Sequence, residues 1–381
     1  MKRKTFLLTT LATLLLFISC GPKKNSFEIK NGVNIALWLS QSNRQPIESV
    51  RAFFSRADVE YIASLGFDHI RIPIDQARMF DNNDEKIPEA FALLHDALRW
   101  CDEFNLRAIV DVHVLRSHSF TGNGDQPLYT DPKAQEQFYE FWRKISGELK
   151  NYSVDKVAYE CLNEAVANDP ETLNAILNRC VEVIRELEPA RTILMGSNEN
   201  NNYGNVKYLT PPPNDPNIMI SFHYYIPMLI THYQARWTRE SGDVVAPVHY
   251  PGQLITDADL ENEQPKYQVD GRMVYNIDVI EKNLLEVIEF GKKHNLVVHC
   301  GEWGVYYKSP EEDALRWITD VAALFRKHGI PQTYWDYKSS DFGLIRASGP
   351  YGASYLSTEP SNASSVREPI TERLNAVLGK K

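Results

Sequence analysis

Two glutamates each follow a short apolar, β-prone run, at the point where a buried parallel strand is expected to end. Glu164 follows Asn163 in "KVAYECLNE", and Glu302 lies in "LVVHCGEWG". Two carboxyl groups in unlike surroundings can divide one reaction between them, because one stays protonated and donates a proton while the other stays ionised and attacks. The sequence therefore predicts acid–base and nucleophilic chemistry, provided that the fold brings the two side chains together.

Other polar side chains gather at the C-terminal ends of the remaining β-prone runs. They are Asp111 and His113 in "RAIVDVHV", Asn198 in "RTILMGSN", His223 and Tyr225 in "IMISFHYY", Trp303 in "GEWG" and Trp335 in "PQTYWDY", while Arg71 falls within the second run, "HIRIPI". Parallel strands of a barrel present these ends at one mouth, so we expect the side chains to converge. No HExxH pair and no GxGxxG turn occurs, and we predict neither a metal nor another cofactor.

The elements that must position these residues alternate along the chain. Eight β-prone runs, beginning with "GVNIAL", are separated by helix-like segments at 57–65, 88–103, 134–150, 170–187, 277–294 and 310–328. This alternation predicts an α/β protein with a single (β/α)8 barrel domain. An open doubly wound sheet is the alternative, but it favours a Gly-rich turn after its first strand, and "GVNIALWLSQ" has none. The long irregular stretch 226–275 follows the sixth run, so we expect it to lie over the mouth.

Composition narrows the class of ligand. The 381 residues are 43% hydrophobic and 24% charged, with a formal net charge of −9. These values describe an ordinary globular protein and disfavour a nucleic-acid partner, which needs a basic face. Cys161 and Cys300 lie in apolar strand-like segments, and Cys101 and Cys180 lie in helix-like ones. None has the spacing of a zinc site, and we expect all four to be buried free thiols.

The N-terminus has the pattern of an export signal. Basic residues 2–4 precede an apolar run, 6–18, which ends at Ser19-Cys20-Gly21. This order resembles a bacterial lipoprotein signal, in which acylation of the Cys20 thiol anchors the mature protein. We therefore expect a signal peptide over 1–19, an anchor linker over 20–27 and the catalytic domain over 28–381. The expected protein is exported, attached to the outer membrane only through this lipid, and monomeric.

Six motifs together resemble glycoside hydrolase family 5, the cellulase-type retaining enzymes. The resemblance spans about residues 32–343 and rests on "LNE", "GEWG", "HYY" at 223–225, "DVH" at 111–113, Arg71 in "HIRIPI" and Trp335 in "TYWDY". A single Asn-Glu pair is weak, whereas six motifs in this order at successive strand ends are specific. The family implies a (β/α)8 barrel and no cofactor.

The resemblance implies a role for each residue near the cleaved bond. Glu164 becomes the general acid and later the base, and Glu302 becomes the nucleophile. Asn163 binds the 2-hydroxyl of the sugar. Arg71 and Tyr225 keep Glu302 ionised and aimed, because a cation and a hydroxyl donor both favour the charged carboxylate. Arg71 has an alternative role as a salt bridge inside the barrel.

The remaining residues have supporting or binding roles in the same resemblance. His223 orients Glu164, His113 binds sugar hydroxyls, and Trp335 offers an indole face to the pyranose ring. Trp303 and Trp38 are either further substrate platforms or buried wall residues, and the sequence leaves both interpretations open. Asp111 is expected to support Arg71 or His113 rather than to act on the substrate.

The expected activity is retaining, endo-acting hydrolysis of a β-1,4-linked glucan such as cellulose, mixed-linkage glucan or xyloglucan. Retention predicts carboxyl groups about 5 Å apart, whereas a gap of about 6.5 Å or more admits a water and gives inversion. A β-mannanase and an exo-β-glucosidase are alternatives, because loops set specificity. A lipid-anchored glycan-binding protein without turnover is an alternative of another class, and transglycosylation is a further outcome of the covalent mechanism.

Overall fold

Eight parallel strands close into a barrel in the computed structural model, which describes residues 24–122, 124–339, 341–347 and 367–380. The strands follow one another around the barrel in chain order, and the eighth pairs with the first. They are β1 (Asn31–Asn34), β2 (His69–Asp75), β3 (Arg107–Val114), β4 (Val157–Glu160), β5 (Ile193–Gly196), β6 (Ile218–His223), β7 (Val297–Glu302) and β8 (Gln332–Tyr334). The predicted (β/α)8 barrel is confirmed.

Long helices pack around the strands and return the chain to the N-terminal side of the barrel. They are α1 (Arg56–Leu65), α2 (Pro88–Glu103), α3 (Pro132–Leu149), α4 (Pro170–Leu187), α5 (Ile277–His294), α6 (Glu311–His328) and α7 (Thr371–Leu378). The six helix-like segments of the sequence coincide with α1 to α6 to within two residues at each end.

Local capping signals explain why these helix bounds could be predicted. Asp169 accepts a hydrogen bond from the backbone N–H of Thr172, and Pro170 occupies the first helical position of α4. Gly329 ends α6 in the left-handed conformation with φ 64°, which costs a glycine least. Caps of this kind act over a few residues, so the sequence alone specifies them.

The bottom of the barrel is closed by the chain that leads into β1. Phe27 and Ile29 are buried with Ile109, Ala158 and other strand residues. Asn25, just upstream, forms hydrogen bonds with Ala190, Thr192 and Asn217, which lie in the loops that lead into β5 and β6. The predicted anchor linker, 20–27, is therefore too long at its C-terminal end, because Asn25 and Phe27 are held by the folded domain. Residues 1–19 and Cys20 lie outside the described residues.

The segment that follows β6 is more regular than the sequence indicated. It contains the short helices Met228–Thr231, Asp257–Leu260 and Pro265–Gly271, and a hairpin formed by Gly252–Gln253 and Val274–Tyr275. The other short elements are Ile47–Phe53, Gln76–Met79, Pro127–Tyr129, Asn198–Asn201, Tyr203–Tyr208 and the strand pair Ile345–Ala347 with Arg367–Pro369.

Cys101, Cys161, Cys180 and Cys300 are buried and free, as predicted. Within the described ranges, no helix has both the length and the apolar character needed to cross a membrane.

Candidate active site

Glu302, the last residue of β7, lies inside the mouth with a cation and a hydroxyl donor on its carboxylate. Arg71 Nη1 donates to Glu302 Oε1 at 2.8 Å, and the Tyr225 hydroxyl donates to Oε2 at 3.2 Å. Arg71 comes from β2 and Tyr225 follows β6, so neither neighbour is local in sequence. Both contacts favour the ionised carboxylate that a nucleophile requires.

Glu164 reaches the mouth from a loop and not from a strand end. Strand β4 ends at Glu160, and Glu164 takes a left-handed backbone conformation with φ 46°. Its Oε1 accepts a hydrogen bond from His223 Nδ1 at 2.9 Å. A carboxylate oxygen of Glu164 lies within 4.8 Å of one of Glu302, a separation that matches the pair of carboxyl groups of a retaining glycosidase.

Arg71 is fully buried and binds three carboxylates. It lies 2.7 Å from Glu160, 2.8 Å from Glu302 and 3.0 Å from Asp111. Glu160 was missed by the sequence analysis, although an acid in the middle of the apolar run "VAYEC" was a usable signal. Arg71 therefore has both of the roles that the sequence left open. Its guanidinium forms a salt bridge inside the barrel, and it also binds Glu302.

The side-chain amide of Asn163 has a hydrogen-bond partner on its oxygen but none on its nitrogen among the described residues. Its Oδ1 accepts from Arg71 Nη2 at 2.8 Å, whereas its buried Nδ2 has no hydrogen-bond partner among the described residues. A buried donor without a partner is costly, and a ligand oxygen would satisfy it. The backbone oxygen of Asn163 accepts from His118 Nε2 at 2.8 Å, a contact that the sequence analysis did not anticipate.

His113 is held on both ring nitrogens beside Trp335. Its Nδ1 donates to Asp111 Oδ2 at 2.8 Å, and the Gln41 amide donates to its Nε2 at 3.1 Å. The Trp335 ring lies parallel to the imidazole, with centroids 5.7 Å apart. Asp111 contacts both Arg71 and His113. This position agrees with the supporting role that the sequence favoured.

Trp38 and Trp303 are wall residues and not substrate platforms. Both are fully buried. Trp38 packs on Phe54, while Trp303 packs between Phe325 and Tyr334. Neither indole has a face open to a sugar, so the substrate-binding interpretation was wrong for these two residues.

Burial sets the protonation states in the mouth. It raises the pKa of Glu164 to about 7 and lowers the pKa of His223 to about 4. It also raises the pKa of Glu302, but His223 and Arg71 act to lower it. Arg71 is in direct contact with Glu302 and not with Glu164, so Glu164 is the carboxyl better suited to keep a proton and Glu302 the one better suited to lose it.

Activity is expected to fall as the pH rises through about 7, because Glu164 loses the proton that it must donate and its pKa is raised to about 7. The pH dependence of kcat/KM on an aryl β-glycoside measures this alkaline limb. In Glu164→Gln the limb should disappear along with most of the activity. A wild-type limb near the ordinary pKa of a glutamic acid would contradict this assignment.

One group of three side chains in the described part of the chain has the spacing of a metal site. It is formed by Glu164, His223 and Glu302. His223 Nδ1 already binds Glu164 Oε1 at 2.9 Å, and the Arg71 guanidinium 2.8 Å from Glu302 disfavours a second cation. The arrangement is suited to proton transfer and nucleophilic attack between the two carboxyl groups.

A closed (β/α)8 barrel with this carboxylate pair at its C-terminal mouth defines a glycoside hydrolase of the retaining geometry. The family model "Cellulase (glycosyl hydrolase family 5)" matches residues 42–341. The chain belongs to glycosyl hydrolase family 5. The predicted family and the predicted enzyme class are thus confirmed.

Individual relatives agree with this family, and a solved structure agrees with the fold. Endoglucanase C of Acetivibrio thermocellus is 30% identical over 320 residues, covering 83% of this chain and 93% of that protein. Cellodextrinase A of Ruminococcus flavefaciens is 28% identical over 306 residues, covering 79% of this chain and 83% of that protein. A structure of Thermotoga maritima Cel5A in complex with mannotriose has a TM-score of 0.70 at 20% identity, covering 92% of this chain and 98% of that one.

Proposed function

We propose that the protein is a retaining, endo-acting β-1,4-glucanase that works by double displacement. The observation that carries this proposal is the pair Glu164 and Glu302, whose carboxylate oxygens lie within 4.8 Å of each other with Arg71 bound to only one of them. The family and the relatives Endoglucanase C and Cellodextrinase A support a β-1,4-glucan as the substrate.

In the first step, Glu302 attacks the anomeric carbon and Glu164 donates its proton to the departing glycosidic oxygen. The C–O bond to the leaving sugar breaks as the bond to the Glu302 carboxylate forms. In the second step, Glu164 takes a proton from water, whose oxygen attacks the same carbon and releases Glu302. The free Nδ2 of Asn163 is placed to donate to the 2-hydroxyl, and Trp335, which is partly exposed, offers a stacking face.

The purified protein should be incubated separately with cellulose, mixed-linkage β-glucan, xyloglucan, mannan and xylan, and the lengths of the products recorded. Rapid shortening of a β-1,4-glucan to mixed oligosaccharides supports the proposal. Preference for mannan would instead assign a β-mannanase, and release of single terminal glucose units would assign an exo-β-glucosidase. Binding without any product, including no phenol from an aryl β-cellobioside, would assign a glycan-binding protein. Products longer than the substrate would show transglycosylation.

An aromatic path leads away from the nucleophile and offers further contacts for a long substrate. Tyr225, which binds Glu302, packs on Phe342 with ring centroids 6.2 Å apart, and Phe342 packs on Tyr306 at 5.7 Å. Tyr306 contacts Trp237 at 4.9 Å. Trp237 is 54% exposed, and an indole face that stays in water beside an active site is suited to sugar stacking.

Trp237→Ala should lower kcat/KM on a long soluble β-glucan about tenfold, equivalent to ~1.4 kcal/mol of lost transition-state binding. The same change should leave kcat/KM on an aryl β-cellobioside within about twofold, because Trp237 lies several ring contacts from the cleaved bond. Tyr208→Ala is the matched control, since Tyr208 is equally exposed, at 51%, outside this path. Equal losses on both substrates, or an unchanged long-chain rate, would contradict the prediction.

We also propose that the protein is exported and lipid-anchored to the outer membrane through Cys20, as a monomer. The basic, apolar and Ser-Cys-Gly pattern of residues 2–21 supports this proposal. Cells producing the protein and fed a labelled fatty acid should yield a labelled, membrane-bound wild type and an unlabelled Cys20→Ser variant. Membrane binding that survives in Cys20→Ser would reject the anchor, and light scattering of the released domain tests the monomer.

A further inference from the structure

We propose that Asn201 is a positioning residue that fixes the tautomer of His223 and thereby decides which oxygen of Glu164 carries the transferable proton. The inference rests on the proposed acid/base role of Glu164 and names a part of that machinery outside the motifs of the sequence. Asn201 lies in the loop after β5, 37 residues from Glu164 in the chain. Its side chain is fully buried between Glu164 and His223.

The orientation of the Asn201 amide follows from its neighbours. The backbone N–H of Glu164 donates to Asn201 Oδ1 at 3.1 Å. A backbone N–H can only donate, so the oxygen of the amide must occupy this side. The opposite assignment would place two donors against each other. Asn201 Nδ2 therefore faces His223 Nε2, at 3.3 Å.

This orientation determines the proton on His223. Because the amide nitrogen is a donor, His223 Nε2 must accept, and the single proton of a neutral imidazole must lie on Nδ1. Burial lowers the pKa of His223 to about 4, so the ring is neutral at ordinary pH. Nδ1–H then donates to Glu164 Oε1 at 2.9 Å.

The contacts from Asn201 to His223 and from His223 to Glu164 fix the position of the proton on the Glu164 carboxyl. Oε1 is occupied as an acceptor, so the proton that Glu164 delivers lies on Oε2. Nearby, Asn200 Nδ2 lies 3.4 Å from Oε2, and this longer contact leaves the oxygen accessible to a glycosidic oxygen. The acid thus keeps one oxygen for His223 and one for the substrate.

The loop that carries Asn201 has a left-handed backbone and packs closely against Gly196. Glu199, Asn200 and Asn201 have φ values of 54°, 61° and 54°, in the left-handed region. A non-glycine residue pays a conformational cost in this region, and asparagine tolerates it better than most side chains. A Cβ on Gly196 would come within 2.5 Å of Asn201 Oδ1. Gly196 therefore leaves the space in which the amide lies.

A second asparagine ties the same loop to the acid-bearing loop without touching His223. Asn198 Oδ1 accepts from the backbone N–H of Ala167 at 2.9 Å, and Asn198 Nδ2 donates to the Ala167 oxygen at 2.9 Å. Asn198 thus offers a matched control, since it supports the loop but makes no contact with the imidazole. Other ionisable groups also influence His223 and Glu164, and they come from β2, β3, β4, β7 and the residues just after β6. They are Arg71, Asp111, His113, Glu160, Tyr225, His299 and Glu302.

The tautomer can be measured on the wild-type protein by nitrogen NMR after labelling its histidines with ¹⁵N. We expect His223 to show a protonated Nδ1 and a bare Nε2 from about pH 5 to about pH 8. The resonances are assigned by their loss in His223→Gln. A protonated Nε2 in the wild type would overturn the proposal, whether or not the protein hydrolyses any glycan.

The second measurement is the pH dependence of kcat/KM in Asn201→Asp. A carboxylate beside Nε2 should draw a second proton onto His223, and the resulting imidazolium lies closer to Glu164 than the new negative charge does. The pKa of Glu164 should fall, and the alkaline limb of activity should move down by about one pH unit. The ¹⁵N spectrum should then show both ring nitrogens protonated.

Asn198→Asp makes the same substitution in the same loop and should weaken the loop without moving the alkaline limb downward. An unmoved limb in Asn201→Asp, or an equal downward shift in Asn198→Asp, would overturn the proposal. Absence of all hydrolysis in the wild type would reject the proposed function instead, and the ¹⁵N measurement would still decide the tautomer.

Discussion

Glu302→Ala is expected to lower kcat on an aryl β-cellobioside by at least about 10⁴-fold, because no other described carboxylate is placed to form the covalent intermediate. Glu302 lies at the end of β7, and Arg71 and Tyr225 hold its two oxygens at 2.8 and 3.2 Å. Removing the side chain leaves these donors in place without an attacking group. Circular dichroism and thermal unfolding should show that the variant keeps its fold.

The two glutamates can be distinguished by an external nucleophile. In Glu302→Ala, azide should enter the vacated space, attack from the same face as the lost carboxylate and yield the α-glycosyl azide. In Glu164→Ala, azide should instead attack the covalent intermediate from the opposite face and yield the β-glycosyl azide. The reverse pattern would exchange the roles of the two residues, and rescue of neither would reject the double displacement.

Arg71→Met is expected to cost about 3–5 kcal/mol in the free energy of unfolding, as well as most of the activity. The change removes the cation that three buried acids share, since Asp111, Glu160 and Glu302 all lie within 3.0 Å of Arg71. Methionine preserves much of the volume of the side chain, so the lost charge dominates. Urea unfolding followed by tryptophan fluorescence measures the stability.

The loss in Arg71→Met should depend on pH with a defined sign. The pKa of Asp111 is already raised to about 7 by burial, although Arg71 acts to lower it. Without Arg71 the buried acids must bind protons in the folded state that they release on unfolding. Folded protein then holds more protons than unfolded protein, so stability falls as the pH rises above about 4. We expect a larger deficit at about pH 8 than at about pH 5.

Arg191→Met provides the control for this effect. Arg191 is also fully buried, but it pairs with Glu188 and donates to the backbone oxygens of Tyr152, Ser153 and Val157. Its loss should destabilise the barrel without altering the pH dependence of activity. An Arg71→Met variant with wild-type stability and a wild-type pH profile would show that the guanidinium does not hold the acids ionised.

The sequence predicted the positions of those functional residues that lie on a barrel strand. Arg71, His113, His223 and Glu302 belong to β2, β3, β6 and β7, and the structure brings them together. Strand ends can be read from apolar runs, because the alternation of β and α elements is local. Their convergence then follows from the closure of a parallel barrel.

Residues that depend on packing were predicted less well. The sequence treated Trp38 and Trp303 alike as either platform or wall, and only the structure shows that both indoles are enclosed. Glu160 was overlooked because its role depends on Arg71, which lies 89 residues away. The burial of a side chain is a property of neighbours from distant parts of the chain, and no local pattern reports it.

By itself, the sequence determined the order of the barrel strands, the bounds of the long helices α1 to α6, the closed barrel, and the chemical types of the residues at its mouth. These properties arise from periodicity and capping, which act over a few residues. Only the tertiary structure decided how Glu164 enters the site, because a left-handed backbone and the side chains of Asn201 and His223 place it from a loop. Contacts of this kind join segments that are distant in sequence, and their energies exist only once the barrel has closed.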